Sequence, residues 1–241
     1  MSKEFEIVKE VTLDATPDEV WQTVATEAGL ATWFHPSPVD PTSDLVVGWE
    51  PGRRLAIQTP QAPDGSTHAF EYLIEGRAGG STVLRFVHSG MAADDWADEY
   101  EDVTAGGWDM YLFTLVQYHM HFAGRAATCI VAEAPPSSST PDAWPALARA
   151  LGLQRGVELD APVRVELPGA EALEGVIDYV SPNFVGFRTA DALIRFHGRW
   201  GLGLSVAVSH HAYSDINADS MTRAWQAWLA AALSAVGAPS S

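Results

Sequence analysis

Two stretches of this chain rhyme. "TPDEVWQTVATEAGL" occupies residues 16 to 30 and "TPDAWPALARALGL" residues 140 to 153. Each follows an alternating strand pattern, "EFEIVKEVTLDA" or "ATCIVAEA". Each precedes period-two segments that run into a long apolar helix. A repeat of about 120 residues restricts the architecture, because each copy must bury one sheet face and one helix face of its own. The order strand, short helix, antiparallel strands, long helix makes each copy an α+β layer pair. The expected units are residues 1–125 and 126–241. A chain of 241 residues is long enough for each to have a core.

In the first copy Thr16 stands as N-cap, Pro17 at the first helical position, and Asp18 and Glu19 in the first turn. The Thr16 hydroxyl is placed to accept from the N3 amide while Glu19 reaches back, a capping box. Val20, Trp21, Val24 and Ala28 fall at helical spacing, and Gly29 is a stop or bend before a short turn carrying Trp33 and Phe34. From about residue 45 the pattern turns to period two. "DLVVGW" and "RRLAIQT" are separated by "EPG", "THAFEYLIEG" sends Phe70, Tyr72 and Ile74 to one side, and "TVLRFVHSG" puts Leu84, Phe86 and His88 on one face. One-sided strands imply an antiparallel sheet with one covered face.

The cover is "GGWDMYLFTLVQYHMHF", residues 106 to 122. Trp108, Tyr111, Leu112, Leu115, His119 and Phe122 form one stripe, and Met110, Phe113 and Met120 a second on the opposite side. The second copy offers strands in "APVRVELPG", "ALEGVIDYV", "FVGFRT", "ALIRFHG" and "LSVAVSHHAY". It closes with a helix that lines up Met221, Trp225, Trp228, Leu229 and Ala232. A histidine near the end of the last strand recurs too, His88 in one copy and His210 in the other.

Charge narrows the partners. Thirty-one acidic side chains against fourteen basic ones give a formal −17, which repels phosphate backbones and anionic headgroups, so neither nucleic acid nor membrane is expected as a partner. One cysteine, Cys129, fits a reducing compartment and reads as a small apolar strand residue. "MSKEFEIVKE" has no apolar signal-peptide region, and "AWQAWLAAALSAVGA" is too short and interrupted to span a bilayer, so a cytoplasmic location is expected.

The strand into Asp14-Ala15-Thr16-Pro17, then Val20-Trp21, Trp33-Phe34, His88-Ser89-Gly90 and Gly107-Trp108 together resemble the START-like superfamily. Within it they are similar to the SRPBCC proteins of the activator of Hsp90 ATPase homologue type. The resemblance covers residues 4–124, and the second half matches in outline through its "TPD…W" and "AWQAWL" helices. It implies a helix-grip (START-like, Bet v-like) fold, a curved antiparallel sheet around a long C-terminal helix, duplicated in tandem. It also implies binding of a small apolar or amphipathic molecule between sheet and helix, with a chaperone-activating role in some relatives and cyclase or aromatase chemistry in others.

Candidate ligand-binding residues are Trp33, Phe34, Trp49, Phe70, Tyr72, Phe86, His88, Trp108, Tyr111, Leu115 and His119. Such a set reads either as the lining of an apolar cavity or as a packed core. His88 and His119 are expected to point into the sheet–helix interior, where each could orient a ligand oxygen, act as general base, or sit as a satisfied core histidine. His119-x-His121 and His210-His211 place their rings on opposite sides of their elements, so no metal is expected, and no cofactor. "DDWADEYED", residues 94 to 102, is a solvated lead-in to the helix or a gate plugged by Trp96. Three functions stay open: a non-catalytic binder of a small apolar molecule, a protein-interaction or co-chaperone-like module using the Met110, Phe113 and Met120 stripe, and a cyclase- or aromatase-type enzyme using His88 or His119. The second copy lacks a "WF" after its first helix, which favours the first as the ligand-holding half.

Overall fold

The structure, a computed structural model, describes residues 3–92, 98–153 and 158–234. The chain divides into two compact units, Met1–Ala126 and Ala127–Ser241. The first runs β1 (Lys3–Leu13), α1 (Pro17–Ala25), α2 (Glu27–Leu30), β2 (Val46–Glu50), β3 (Arg54–Gln58), β4 (Thr67–Gly76), β5 (Thr82–Ala92) and α3 (Asp98–His121). Its sheet is antiparallel in the order β1-β5-β4-β3-β2. The first strand thus pairs with the last, and α1 and α2 carry the chain across to the far edge, from which the meander returns.

The capping box forms as its residues dictate. The Glu19 amide donates to the Thr16 hydroxyl at 3.3 Å, and the Thr16 amide donates to the Glu19 carboxylate at 2.8 Å. The bend after α1 falls at Thr26, not at Gly29. Thr26 is extended, and its hydroxyl accepts from the Gly29 amide at 3.0 Å, so it caps α2 and Gly29 lies inside that helix. Ending α1 at Ala25 also buries Ala25 and leaves Ala28 exposed, the reverse of an unbroken helical stripe.

Trp108, Leu112 and Leu115 of α3 join the sheet-facing core with Phe86, Leu84 and Tyr72. A second buried line exists, but it runs Met110, Thr114 and Gln117. Phe113 is half-buried, and Met120 is 64% exposed. Apolar periodicity missed this line because Thr114 is polar. Its hydroxyl donates to the Met110 carbonyl at 2.8 Å, which makes its burial tolerable.

The second unit repeats the order with one strand more. It runs β6 (Thr128–Glu133), α4 (Ala143–Ala150), β7 (Pro162–Val165), β8 (Leu173–Ser181), β9 (Phe184–Arg188), β10 (Ala192–His197), β11 (Ala207–Ala212) and α5 (Ala218–Ala232). The sheet order is β6-β11-β10-β9-β8-β7, so again the first strand pairs with the last. Trp225 and Leu229 of α5 fill the core with Phe196, Phe187 and Ile177. On β10, Arg195 makes a two-pronged ion pair to Asp178, with both contacts at 2.9 Å. Gly186 makes room for it, since a Cβ there would lie 2.5 Å from the Arg195 guanidinium. Each unit is a curved antiparallel sheet with a long terminal helix, a helix-grip arrangement in an α+β fold. Among the described residues no helix is long and apolar enough to cross a membrane.

Candidate functional site

Antiparallel pairing of β4 with β5 sets Tyr72 opposite Phe86, Phe70 opposite His88 and His68 opposite Gly90. Alternation sends 68, 70 and 72 to the same face as 86 and 88, the face that carries the core. Gly90 has no Cβ to drive into the Thr67 carbonyl, and the Phe5 ring closes in over the same spot. From α3, Trp108 lies with its ring centre 4.2 Å from Phe86 and 5.9 Å from Phe70. Phe34 stacks on Trp108 at 5.5 Å and meets Tyr111 edge-on at 4.7 Å. Phe70 stacks on His88 at 4.5 Å. Seven of the expected residues therefore form one aromatic row: Phe34, Tyr111, Trp108, Phe86, Tyr72, Phe70 and His88.

The other four do different work. Trp33 is fully buried and donates its indole N–H to the Thr23 carbonyl at 3.1 Å, which anchors the chain after α2. Trp49 pairs edge-on with Trp21 at 4.9 Å. Leu115 is core. His119 lies three helical turns from Trp108, about 16 Å along the axis, so it does not share a site with His88. The Thr23 hydroxyl gives its proton to the Glu19 carbonyl at 2.7 Å and therefore accepts from His119 Nε2 at 3.3 Å. That pair lines a separate cleft of about 390 Å³ with Gln22, Thr26, Tyr118 and Arg125. Burial lowers the His119 pKa, against the pull of Glu19.

Two residues of the row's surroundings were missed in sequence. His35 Nε2 lies 3.2 Å from the Tyr111 hydroxyl at one end. His68 Nδ1 lies 3.0 Å from His88 Nε2 at the other. Both could have been found: His68 shares the parity of Phe70 and Tyr72, and His35 directly follows the Trp-Phe pair. Phe34, His35, His68, Phe70 and Tyr111 are half-buried, while Tyr72, Phe86, His88 and Trp108 are buried, so the row has one open side.

One donor orders the protons. The Trp108 indole N–H can only donate, and it reaches His88 Nδ1 at 3.0 Å. His88 therefore carries its proton on Nε2 and donates to His68 Nδ1, which leaves the proton of a neutral His68 on Nε2. Burial pushes the His88 pKa down to about 4, with His68 adding to the effect. Burial also lowers that of His68, with Asp64 opposing. With Nδ1 accepting and Nε2 donating, His88 has no lone pair left for a substrate proton.

The second unit repeats the lock beside a different aromatic set, Phe187, Phe196, Trp225 and Trp228. Trp225 Nε1 donates to His210 Nδ1 at 3.1 Å, and burial again pushes the imidazole down to about 4 against the pull of Asp191. His210 sits opposite Ile194 as His88 sits opposite Phe70. In the same register Ala192 stands for His68 and Val208 for Phe86, and all three replacements are buried at 2% exposure or less.

The acidic run at 94 to 102, and with it any gate built on Trp96, lies outside the described residues apart from the helical backbone that begins at Asp98. Cys129 is a half-buried strand residue whose thiol burial pushes up to about 12, so it is held as the unreactive thiol.

No protein-family model matches the chain, and neither does any curated protein. Solved structures of similar fold include the di-domain ARO/CYC BexL from the BE-7585A biosynthetic pathway, at 12% identity and TM-score 0.41 over 99% of this chain and 100% of that one. Another is DynU16 of the dynemicin biosynthetic locus, at 17% identity and TM-score 0.40 over 95% and 96%. A third is the Aha1 dimer from Colwellia psychrerythraea, at 16% and 0.38 over 48% of this chain and 96% of that one. At such identities the likeness is one of fold alone.

Proposed function

We propose that the first unit binds a small, flat, largely apolar molecule against the half-open row of Phe34, Phe70, Tyr111 and Trp108. The observation that carries this reading is the contrast between the two copies. Both keep the Trp–His lock, which serves the fold, but at three positions the first has His68, Phe70 and Phe86 where the second has the buried aliphatic Ala192, Ile194 and Val208. Aromatic walls with a few oriented polar atoms suit a planar ligand. Binding is favoured over turnover because both nitrogens of His88 are already engaged within the protein. The second α3 stripe is split as a surface, with Met110 fully buried, Phe113 half-buried and Met120 exposed.

The test is native mass spectrometry of the protein purified from its source, beside tryptophan fluorescence titrated with a naphthalene probe. A co-purifying small molecule is expected, and Phe70→Ala should weaken probe binding by about tenfold, the scale of one lost aromatic contact. Absence of both the molecule and probe binding would end this reading.

A further inference from the structure

At the far end of α3 the cleft beside His119 carries polar groups that the second copy does without. Counting from the shared threonines, Thr16 and Thr140, sets Glu19 and Thr23 against Ala143 and the buried Leu147. Counting from the tryptophans of the lock, Trp108 and Trp225, sets His119 against Val236. One copy builds the helix-grip unit without these three side chains, so the fold does not require them. We infer that this cleft is a binding site for a short-chain primary ammonium ion, separate from the aromatic row and independent of the reading proposed for it.

Hydrogen-bond direction decides what the cleft can hold. Thr23, Thr26 and Thr32 give their hydroxyl protons to the carbonyls of Glu19, Gln22 and Gly29, at 2.7, 2.7 and 2.6 Å. A hydroxyl so engaged can only accept. Thr23 accepts from His119 Nε2, so the neutral ring carries a bare Nδ1, which has no partner among the described residues. Glu19 stands one helical turn before Thr23 on the same face of α1. Its Oε2 takes both Thr16 donors at 2.8 Å, and Oε1 is left for a ligand. Those bonds, the one from the Thr16 amide foremost, hold its carboxyl below the usual carboxylate range, so it is an anion at neutral pH. The wall therefore offers a negative charge and several lone pairs, which match the charge and the N–H donors of an ammonium group. Arg125 is the cation of the lining, and its guanidinium is held over the Phe122 ring at 5.6 Å. Ala28 and Ala123 give the cleft an apolar side, and its volume of about 390 Å³ leaves room for a short alkyl chain. A chain of formal charge −17 raises the local concentration of such cations.

Imidazole ¹⁵N shifts of His119 are followed while n-butylammonium, 1-butanol and butyrate are each titrated into the full chain. At about pH 7.5 the amine is charged. His119 is neutral there, since burial lowers its pKa from 6.5. Before any probe is added the ring should show a protonated Nε2 and a bare Nδ1. The ammonium probe should move the Nδ1 signal saturably, 1-butanol should bind at least about tenfold more weakly, and butyrate should not bind. Glu19→Gln keeps the cap, because glutamine also closes a capping box, and should weaken the ammonium probe by about tenfold. The opposite tautomer, no saturable shift with n-butylammonium, equal affinity for the alcohol, or binding of butyrate would overturn the inference. So would an unchanged affinity in Glu19→Gln, which is what diffuse attraction to the net charge predicts. Failure here leaves the aromatic row untouched, and failure of the naphthalene probe leaves the cleft untouched.

Discussion

His88 and His210 are paired with Trp108 and Trp225 through the same nitrogen, and each is neutral because a dry core penalises imidazolium. That has a pH consequence whose sign is fixed. The folded pKa of each lies near 4 and the ordinary value is 6.5, so between those limits the unfolded chain holds more protons. Stability therefore falls as pH drops from 6.5 towards 4, by about 1.4 kcal/mol per pH unit for each histidine, and these two groups add no further loss below that window. Chemical denaturation across the interval should show this acid limb, and His88→Phe should make it shallower. A limb of unchanged slope in the variant would mean that His88 is not the group titrating. In sequence, the inward direction of His88 was readable from strand alternation. Its proton state was not, because that depends on an indole twenty residues away, brought in by the packing of α3.

Among the elements, α1 was the most legible. Its cap, its proline and its acidic first turn are all local signals, and the structure realises each of them. The second copy shows what the motif needs. Thr140 repeats Thr16, but Ala143 stands where Glu19 would close the box, the hydroxyl of Thr140 is buried without a partner, and the helix begins at Ala143 uncapped by a side chain. Thr16→Ala should therefore cost about 1 kcal/mol of stability in urea denaturation, whereas Thr140→Val should cost nothing or stabilise slightly. Equal losses at the two sites would show that the shared "TPD" matters for some reason other than capping. The α1–α2 bend and the second buried line of α3 were not legible. One turns on a threonine that caps the next helix, the other on a threonine, Thr114, whose hydroxyl bonds within the helix.

Taken as a whole, the molecule is a tandem of two helix-grip units in a strongly acidic chain. Fluorescence anisotropy with a labelled DNA duplex should detect no association even at about 50 mM salt, where phosphate contacts are at their strongest. Salt-sensitive binding there would point to a basic surface that the net charge conceals. The doubling was visible as a repeated order of elements, and the pairing of first strand with last confirms that both copies close in the same way.

The sequence by itself determined the α+β class, the tandem order, the capped first helix and the inward faces of β4 and β5, because these depend on neighbours within a few residues or on period-two alternation. Only the tertiary structure decided which aromatics share a site. Trp33 and Phe34 are adjacent in the chain, yet one is an anchor bonded to Thr23 and the other a wall of the row. His88 and His119 looked equivalent by periodicity, yet packing sets them at different sites. The row, its open side and the ordered protons of Trp108, His88 and His68 arise where a helix, two strands and a loop converge. Contacts of that kind join residues far apart in sequence, and no local pattern encodes them.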